Sequence, residues 1–234
     1  MSVVLYELLG LHDRRYSQFS WRTRLALAHK GVQAEIRGVR VSDKDAIAFS
    51  GQGKVPILVD GERVIPDSWA IAEYLEGRYS KEPSLFGGEI GHGLSRFINA
   101  YVDRTLVPKL VPLLMIDVVA CVDEADGHHL RSQMERAFRA TLETLAENRE
   151  KDIVAFRKLL DPARAALRTQ PFLSGANPAY ADYILFSLMQ WARIVSAFDV
   201  LEADDAVAAW RERMLDLYDG LARTAPARAE SPTG

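Results

Sequence analysis

The chain has 234 residues, 48% of them apolar, and carries a formal net charge of −3 with acids and bases well mixed. That is enough chain for two modest domains with a buried core, and it offers no strongly basic face to neutralise phosphates or anionic lipid, so neither nucleic acid nor a membrane is an expected partner. No apolar run approaches the ~20 residues that span a bilayer, and the lone cysteine, Cys121, rules out an intramolecular disulfide, a CxxC redox pair and a cysteine zinc site, so a cytoplasmic location is expected.

Residues 3–6 read as a first strand and 10–17 as a long polar loop. A helix follows, with Trp21, Leu25 and Leu27 on its apolar face, Arg22, Arg24 and Lys30 on a solvent face, and Gly31 as its stop. Residues 32–40 read as a second strand and 42–49 as a loose helical turn. Residues 55–59 form a strand, Asp60-Gly61 a hairpin turn, and 63–65 a returning strand that Pro66 ends. Asp67-Ser68 is an N-cap pair with Ala70, Ile71, Tyr74 and Leu75 at helical spacing behind it, so a helix begins near Ser68. The order is β-α-β-α-β-β-α.

Gly77, Pro83 and Gly87-Gly88 mark a linker, which sets a first domain at 1–79, a connection at 80–90 and a second domain at 91–223. Strand signals then cease. Residues 94–122, 130–147, 153–168, 180–198 and 206–221 show helical periodicity, which predicts an all-α bundle whose first helix Pro108 and Pro112 interrupt. Residues 224–234, rich in Ala, Pro and Ser, are expected to fray.

A cis bond before Pro56 would turn the N–H and C=O of Val55 outward, where an extended peptide can pair with them. The amides that open the Ser68 helix favour a carboxylate beside it. This order of parts, Val55-Pro56, a hairpin, then Asp67-Ser68 opening a helix, resembles the glutathione-binding half of the glutathione S-transferase superfamily. The resemblance implies an α/β thioredoxin-like N-terminal domain, an all-α C-terminal bundle, glutathione as co-substrate and a homodimer. It also implies a peptide held by Lys54, Val55, Pro56, Asp67 and Ser68, with Val55 on the cysteinyl backbone and Asp67 and Ser68 at the γ-glutamyl end.

Glutathione's thiol has a pKa near ~8.5, and lowering it by about two units takes roughly 2.7 kcal/mol of preference for the thiolate, within reach of a hydroxyl donor plus a helix N-terminus. The loop after the first strand offers Tyr6, Tyr16, Ser17 and Ser20, and Ser17 is the candidate because it lies just before the helix. The run Ser17-Gln-Phe-Ser-Trp-Arg-Thr-Arg24 resembles that of serine-type members, notably the zeta class and the bacterial β-aryl etherases, whose first serine contacts the glutathione sulfur. Tyr6 is the rival, since tyrosine-type members use a residue at this strand's end. The run Asp67-Ser-Trp-Ala-Ile-Ala-Glu-Tyr-Leu75 and the length of the first loop resemble the etherase branch.

Etherase chemistry implies attack of the thiolate on the carbon β to an aryl ketone, expelling a phenolate. A pocket for this small hydrophobic electrophile is expected from Phe19, Tyr101, Leu110, Leu114 and Met115, with His12, Arg14 or Arg104 near the leaving oxygen. Arg14-Arg15 also reads as a solvated loop pair, and His128-His129 as polar surface without metal-ligand spacing. Cys121, distant from the loop in sequence, reads as a buried small hydrophobe. In 177–182, Asp182 resembles the family's capping-box acid, but Ala179 stands at the cap position and Asn177 is the expected substitute. Two other readings are kept: a non-catalytic carrier of glutathione or apolar ligands, and a zeta-like isomerase, against which Gln18 and Phe19 depart from the usual Ser and Cys.

Overall fold

The structure is a computed structural model that describes residues 3–228. Strand β1 (Val3–Leu8) pairs in parallel with β2 (Ala34–Val39) and antiparallel with β3 (Ile57–Asp60), which pairs with β4 (Arg63–Pro66), giving the mixed sheet order β2-β1-β3-β4. The period-2 alternation separates two faces. Val3, Leu5 and Leu58 join the main core, while Tyr6, Ile57 and Val59 pack with Val39 and Ile47 on the other side. Helices α1 (Gln18–His29) and α2 (Ser68–Arg78) contribute Trp21, Leu25, Ile71 and Leu75 to the main core.

The expected solvent face of α1 is not solvated. Arg22 and Lys30 are each 1% exposed in their side chains. A second layer of structure covers this face, and each cation is retained by an anion, as burial of charge requires. Arg22 pairs with Asp103 at 2.6 Å and donates to Asn99 Oδ1 at 2.9 Å, Arg24 is bidentate on Glu7 at 2.6 and 2.9 Å, and Lys30 meets Glu76 at 2.7 Å. The pair Arg14-Arg15 departs from expectation in the same way: Arg14 is buried, and Arg15 lies between Glu7 and Asp13.

In the helical domain α3 (Glu89–Tyr101) runs through a π turn (Val102–Leu106) into α4 (Val107–Val119), so the interruption falls just ahead of Pro108. A proline without an N–H leaves the preceding turn's carbonyl free to re-pair, and a π turn is one way to absorb that. The helix predicted over 130–147 is two, α5 (Glu124–Phe138) and α6 (Leu142–Glu147), because Arg139 turns left-handed (φ 54°) and Thr141 caps anew. The one predicted over 153–168 divides into α7 (Arg149–Leu159) and α8 (Asp161–Leu167), with Pro162 in the new first turn. Helix α9 (Tyr180–Val195) is buried along nearly its whole length, and α10 (Ala206–Leu215) follows. Gly91 is forced by packing: a Cβ there would lie 1.8 Å from the Phe86 carbonyl oxygen.

Asn177 does not cap α9. Asp182, fully buried, supplies the acceptors itself, taking the N–H groups of Ala179, Leu173 and Ser174 and the indole N–H of Trp210 at 2.7–3.2 Å. Of the expected tail, 224–228 are packed rather than frayed: Ala225 and Ala227 are buried and Arg228 reaches Asp117 at 3.3 Å, while 229–234 lie outside the described residues.

The two halves are joined by more than the 79–88 connection. Asp126, in the first turn of α5, accepts the N–H groups of Val41 and Ser42 at 2.8 and 2.7 Å. Cys121, far from the first loop in sequence, adjoins it in space: its carbonyl accepts the Leu11 N–H at 2.7 Å, and a Cβ on Gly10 would lie 2.6 Å from that oxygen. Its thiol is buried, 3.4 Å from the Val195 carbonyl, and burial pushes its pKa up, so it stays a neutral thiol. Among the described residues no helix is long and apolar enough to cross a membrane, and no group of His, Cys, Asp and Glu is placed to hold a metal ion.

Candidate active site

The topology gathers the candidate residues at one end of the sheet. Tyr6, near the end of β1, pairs with Ile57 at the start of β3, and Ile57 pairs with Pro66 at the end of β4. Helix α2 begins just after β4 and α1 follows the loop that leaves β1, so both N-termini and the Val55-Pro56 segment lie on the same side.

The Val55–Pro56 bond is cis, and among the described residues Val55's N–H and C=O have no hydrogen-bond partner. The Pro56 carbonyl accepts the Asp67 N–H at 3.2 Å, which ties this loop to the start of α2. Asp67 is the N-cap: its Oδ1 takes the Trp69 and Ala70 N–H groups at 2.9 and 3.1 Å. It does so at φ 75° and ψ 132°, a region that costs a non-glycine residue about 1–3 kcal/mol and that tends to persist where a backbone must be aimed at a ligand. Ser68 is buried, and its carbonyl accepts Tyr180 Oη at 2.8 Å. Lys54 is exposed, with no ion pair among the described residues.

Ser17 is the N-cap of α1, buried, and its Oγ accepts the Ser20 N–H at 3.2 Å. An accepting hydroxyl still owns its proton, so Ser17 can donate to an anion placed at the helix N-terminus while keeping its cap. Ser20 Oγ is buried without a hydrogen-bond partner among the described residues. Tyr6 points elsewhere: it lies on the face opposite α1, 5.1 Å ring to ring from Phe49, with Oη accepting from Arg37 at 2.9 Å. Tyr16 is buried too, and burial and Asp126 push its phenol well above the ordinary range.

The residues expected for the electrophile pocket do not converge in one cavity. Leu110, Leu114 and Met115 are packed in the helical core. His12 is exposed in a short turn at φ 55°, Arg104 is exposed on the π turn, and Phe19 is partly exposed under the Arg22 guanidinium at 4.9 Å. Only Tyr101 lines the large cavity of the helical domain. Two residues of the site region escaped sequence reasoning. Tyr180 was read only as part of a structural segment, and Arg22 as surface, although Arg22, Asp67 and Asp103 all bear electrostatically on Tyr180. Tyrosine at the first position of a helix that is apolar all round is the signal that pointed inward.

A sequence model of the glutathione S-transferase N-terminal domain matches residues 11–83, and one of the C-terminal domain matches 93–221. The chain is 39% identical over 84 residues to glutathione S-transferase Z1 of Arabidopsis thaliana, covering 34% of this chain and 38% of that protein. It is 34% identical over 96 residues to a probable maleylacetoacetate isomerase of Caenorhabditis elegans, covering 39% and 45%. The chain thus spans less than half the length of these curated relatives. Its fold is similar to that of a glutathione S-transferase of Ceriporiopsis subvermispora solved in complex with glutathione, at 20% identity and TM-score 0.78 over 97% of this chain and 99% of that one. With both domain models matched in order, and the second alone covering more than half of its length, the chain belongs to the glutathione S-transferase family.

Proposed function

We propose that this chain is a serine-type glutathione-dependent transferase or lyase, acting on a small hydrophobic electrophile in the cytoplasm as a homodimer. The observation that carries the reading is the geometry of Ser17, a buried N-cap whose hydroxyl accepts from Ser20 N–H and keeps its proton for a thiolate, while Tyr6 is engaged with Arg37 across the sheet. Val55 offers an unpaired backbone edge to the cysteinyl residue, Asp67 and Ser68 receive the γ-glutamyl end, and Lys54 supplies a cation for a peptide carboxylate. For a β-aryl ether, the thiolate sulfur bonds to the ether-bearing carbon next to the ketone carbonyl, the carbon–oxygen bond breaks, and the phenolate leaves with the electron pair and takes up a proton. Phe19, Tyr101 and Arg104 remain candidates to flank that substrate.

The test is Ser17→Ala. A hydrogen bond to an ionised partner is worth about 1.5–3 kcal/mol, so turnover with aryl ethers or halides should fall roughly 10- to 100-fold, the bound thiol's pKa should rise in ultraviolet titration, and glutathione affinity should hold. Affinity lost with turnover intact would refute the role given to Ser17. Binding without turnover in the parent chain would favour the carrier reading. The likeness to Z1 and to the probable isomerase supports a second reading, glutathione-dependent isomerisation. It differs in outcome, because an isomerase returns its glutathione unchanged whereas transfer consumes it.

A further inference from the structure

The last turn of α4, the start of α7, the segment that follows α9 and the chain at Arg228 meet around a polar cavity of about 480 Å³, within the range of small-molecule sites. None of the residues assigned to the thiol site lines it. Three arginines and three acids do: Arg149, Arg157 and Arg228 against Asp117, Glu150 and Asp199.

The charges balance in number but not in place. Asp117 is the least exposed of the six, at 14% of its side chain, and it is shared: Arg149 meets one carboxylate oxygen at 3.1 Å, Arg228 meets the other at 3.3 Å, and Ser196 Oγ donates to it at 2.7 Å. Two guanidiniums on one carboxylate leave an excess of positive charge at the inner end. Arg149 spends only Nη1 in hydrogen bonds among the described residues and sits over the Phe198 ring at 4.6 Å, so the N–H groups of Nε and Nη2 are left for another acceptor. Arg157 adds no free donor nitrogen, being bound to the carbonyls of Asp199 and Val200 and to Glu202. At the mouth Glu150 and Asp199 are exposed, and neither carboxylate has an ion pair or a hydrogen bond among the described residues.

We propose that this cavity binds a small zwitterion of the α-amino-acid type, its carboxylate inward on Arg149 and Arg228 and its ammonium outward on Glu150 and Asp199. The assignment follows from the order of charge along the cavity. A bare anion reaches the inner cations only past two carboxylates, and a bare cation finds no free acceptor inside, whereas a molecule with both charges meets the opposite sign at each end. An uncharged apolar molecule would strip water from Arg149 and Asp117 without replacing its hydrogen bonds. The site stands apart from the thiol site and does not rest on the chemistry proposed there.

The test is a calorimetric titration of the full chain with L-leucine, whose side chain is neutral, beside L-leucinamide, which lacks the carboxylate, and N-acetyl-L-leucine, which lacks the ammonium. One saturable site per chain is expected for L-leucine, with leucinamide weaker by roughly tenfold and N-acetyl-leucine by about three- to fivefold, the smaller loss because the outer carboxylates are solvated. The loss on amidation should disappear in Arg149→Met, or in Arg228→Met should the first variant fail to fold. The loss on acetylation should disappear when Glu150→Ala and Asp199→Ala are combined, because each change removes the partner that the missing charge would have met. No saturable binding, equal affinity for the three compounds, or losses that persist in the folded variants would overturn the proposal. So would leucine binding that Asp67→Ala abolishes and the outer substitutions leave untouched, since the amino acid would then occupy the γ-glutamyl end of the thiol site.

Discussion

Ser17 and His29 show how much one side chain can be asked to do. His29 is half-buried beside Lys30, and both effects, burial first, lower its pKa below the ordinary 6.5. The unfolded chain therefore takes up a proton near pH 6.5 that the folded chain refuses, so stability is complete above that pH and declines as pH falls toward the lowered folded value. Thermal melts between pH 5 and 8 should show this slope in the parent and a shallower one in His29→Gln; equal slopes would place the effect elsewhere. Ser17 and Asp67 were legible because a cap is local chemistry, decided by residues within one helical turn. Arg22 was not, since its partner Asp103 lies 81 residues away and no local pattern announces it.

At the scale of elements, the π turn Val102–Leu106 matters because it presents Asp103 to Arg22. Replacing Asp103 by Ala leaves a buried guanidinium with only Asn99 and should cost about 3 kcal/mol in urea unfolding, whereas Arg22→Met, which removes the charge with the pair broken, should cost less. If the two variants lost stability equally, desolvated charge would not be the cause. The start of α9 is a second such joint. Asp182→Ala would orphan the buried Trp210 indole N–H, at about 1–3 kcal/mol, and three part-buried backbone N–H groups at less each, and should clearly lower the urea midpoint read by circular dichroism at 25 °C. Element types were readable from periodicity, and proline gave away the break near 106, whereas the one near 160 was overrun by a single helix over 153–168 although Pro162 marks it. The break at Arg139 had no such mark, because a left-handed arginine is chosen by the packing of its neighbours rather than by its own preference.

Across the whole molecule, the halves share one apolar core, and specific polar clamps fix the seam between them. Asp126 holds the backbone of residues 41–42, the Cys121 carbonyl holds Leu11, Tyr180 holds Ser68, and Asp103 holds Arg22. Removing the clamp with Asp126→Ala should release two amides, speed hydrogen exchange at Val41 and Ser42 ahead of the rest of the sheet, and cost about 2 kcal/mol. Uniform exchange across the sheet would mean that the seam opens as one unit. The seam also explains why fold class was readable and the electrophile site was not: layers follow from alternation and periodicity, but a cavity is whatever space several distant elements fail to fill. The ion pair between Arg22 and Asp103 carries a further meaning for descent. A first half that buries a cation it cannot neutralise is no portable cassette. Exchange of halves between related chains would succeed only where the incoming helical half brings a carboxylate to this one point, so a single matched pair, more than overall likeness, sets which recombinants survive.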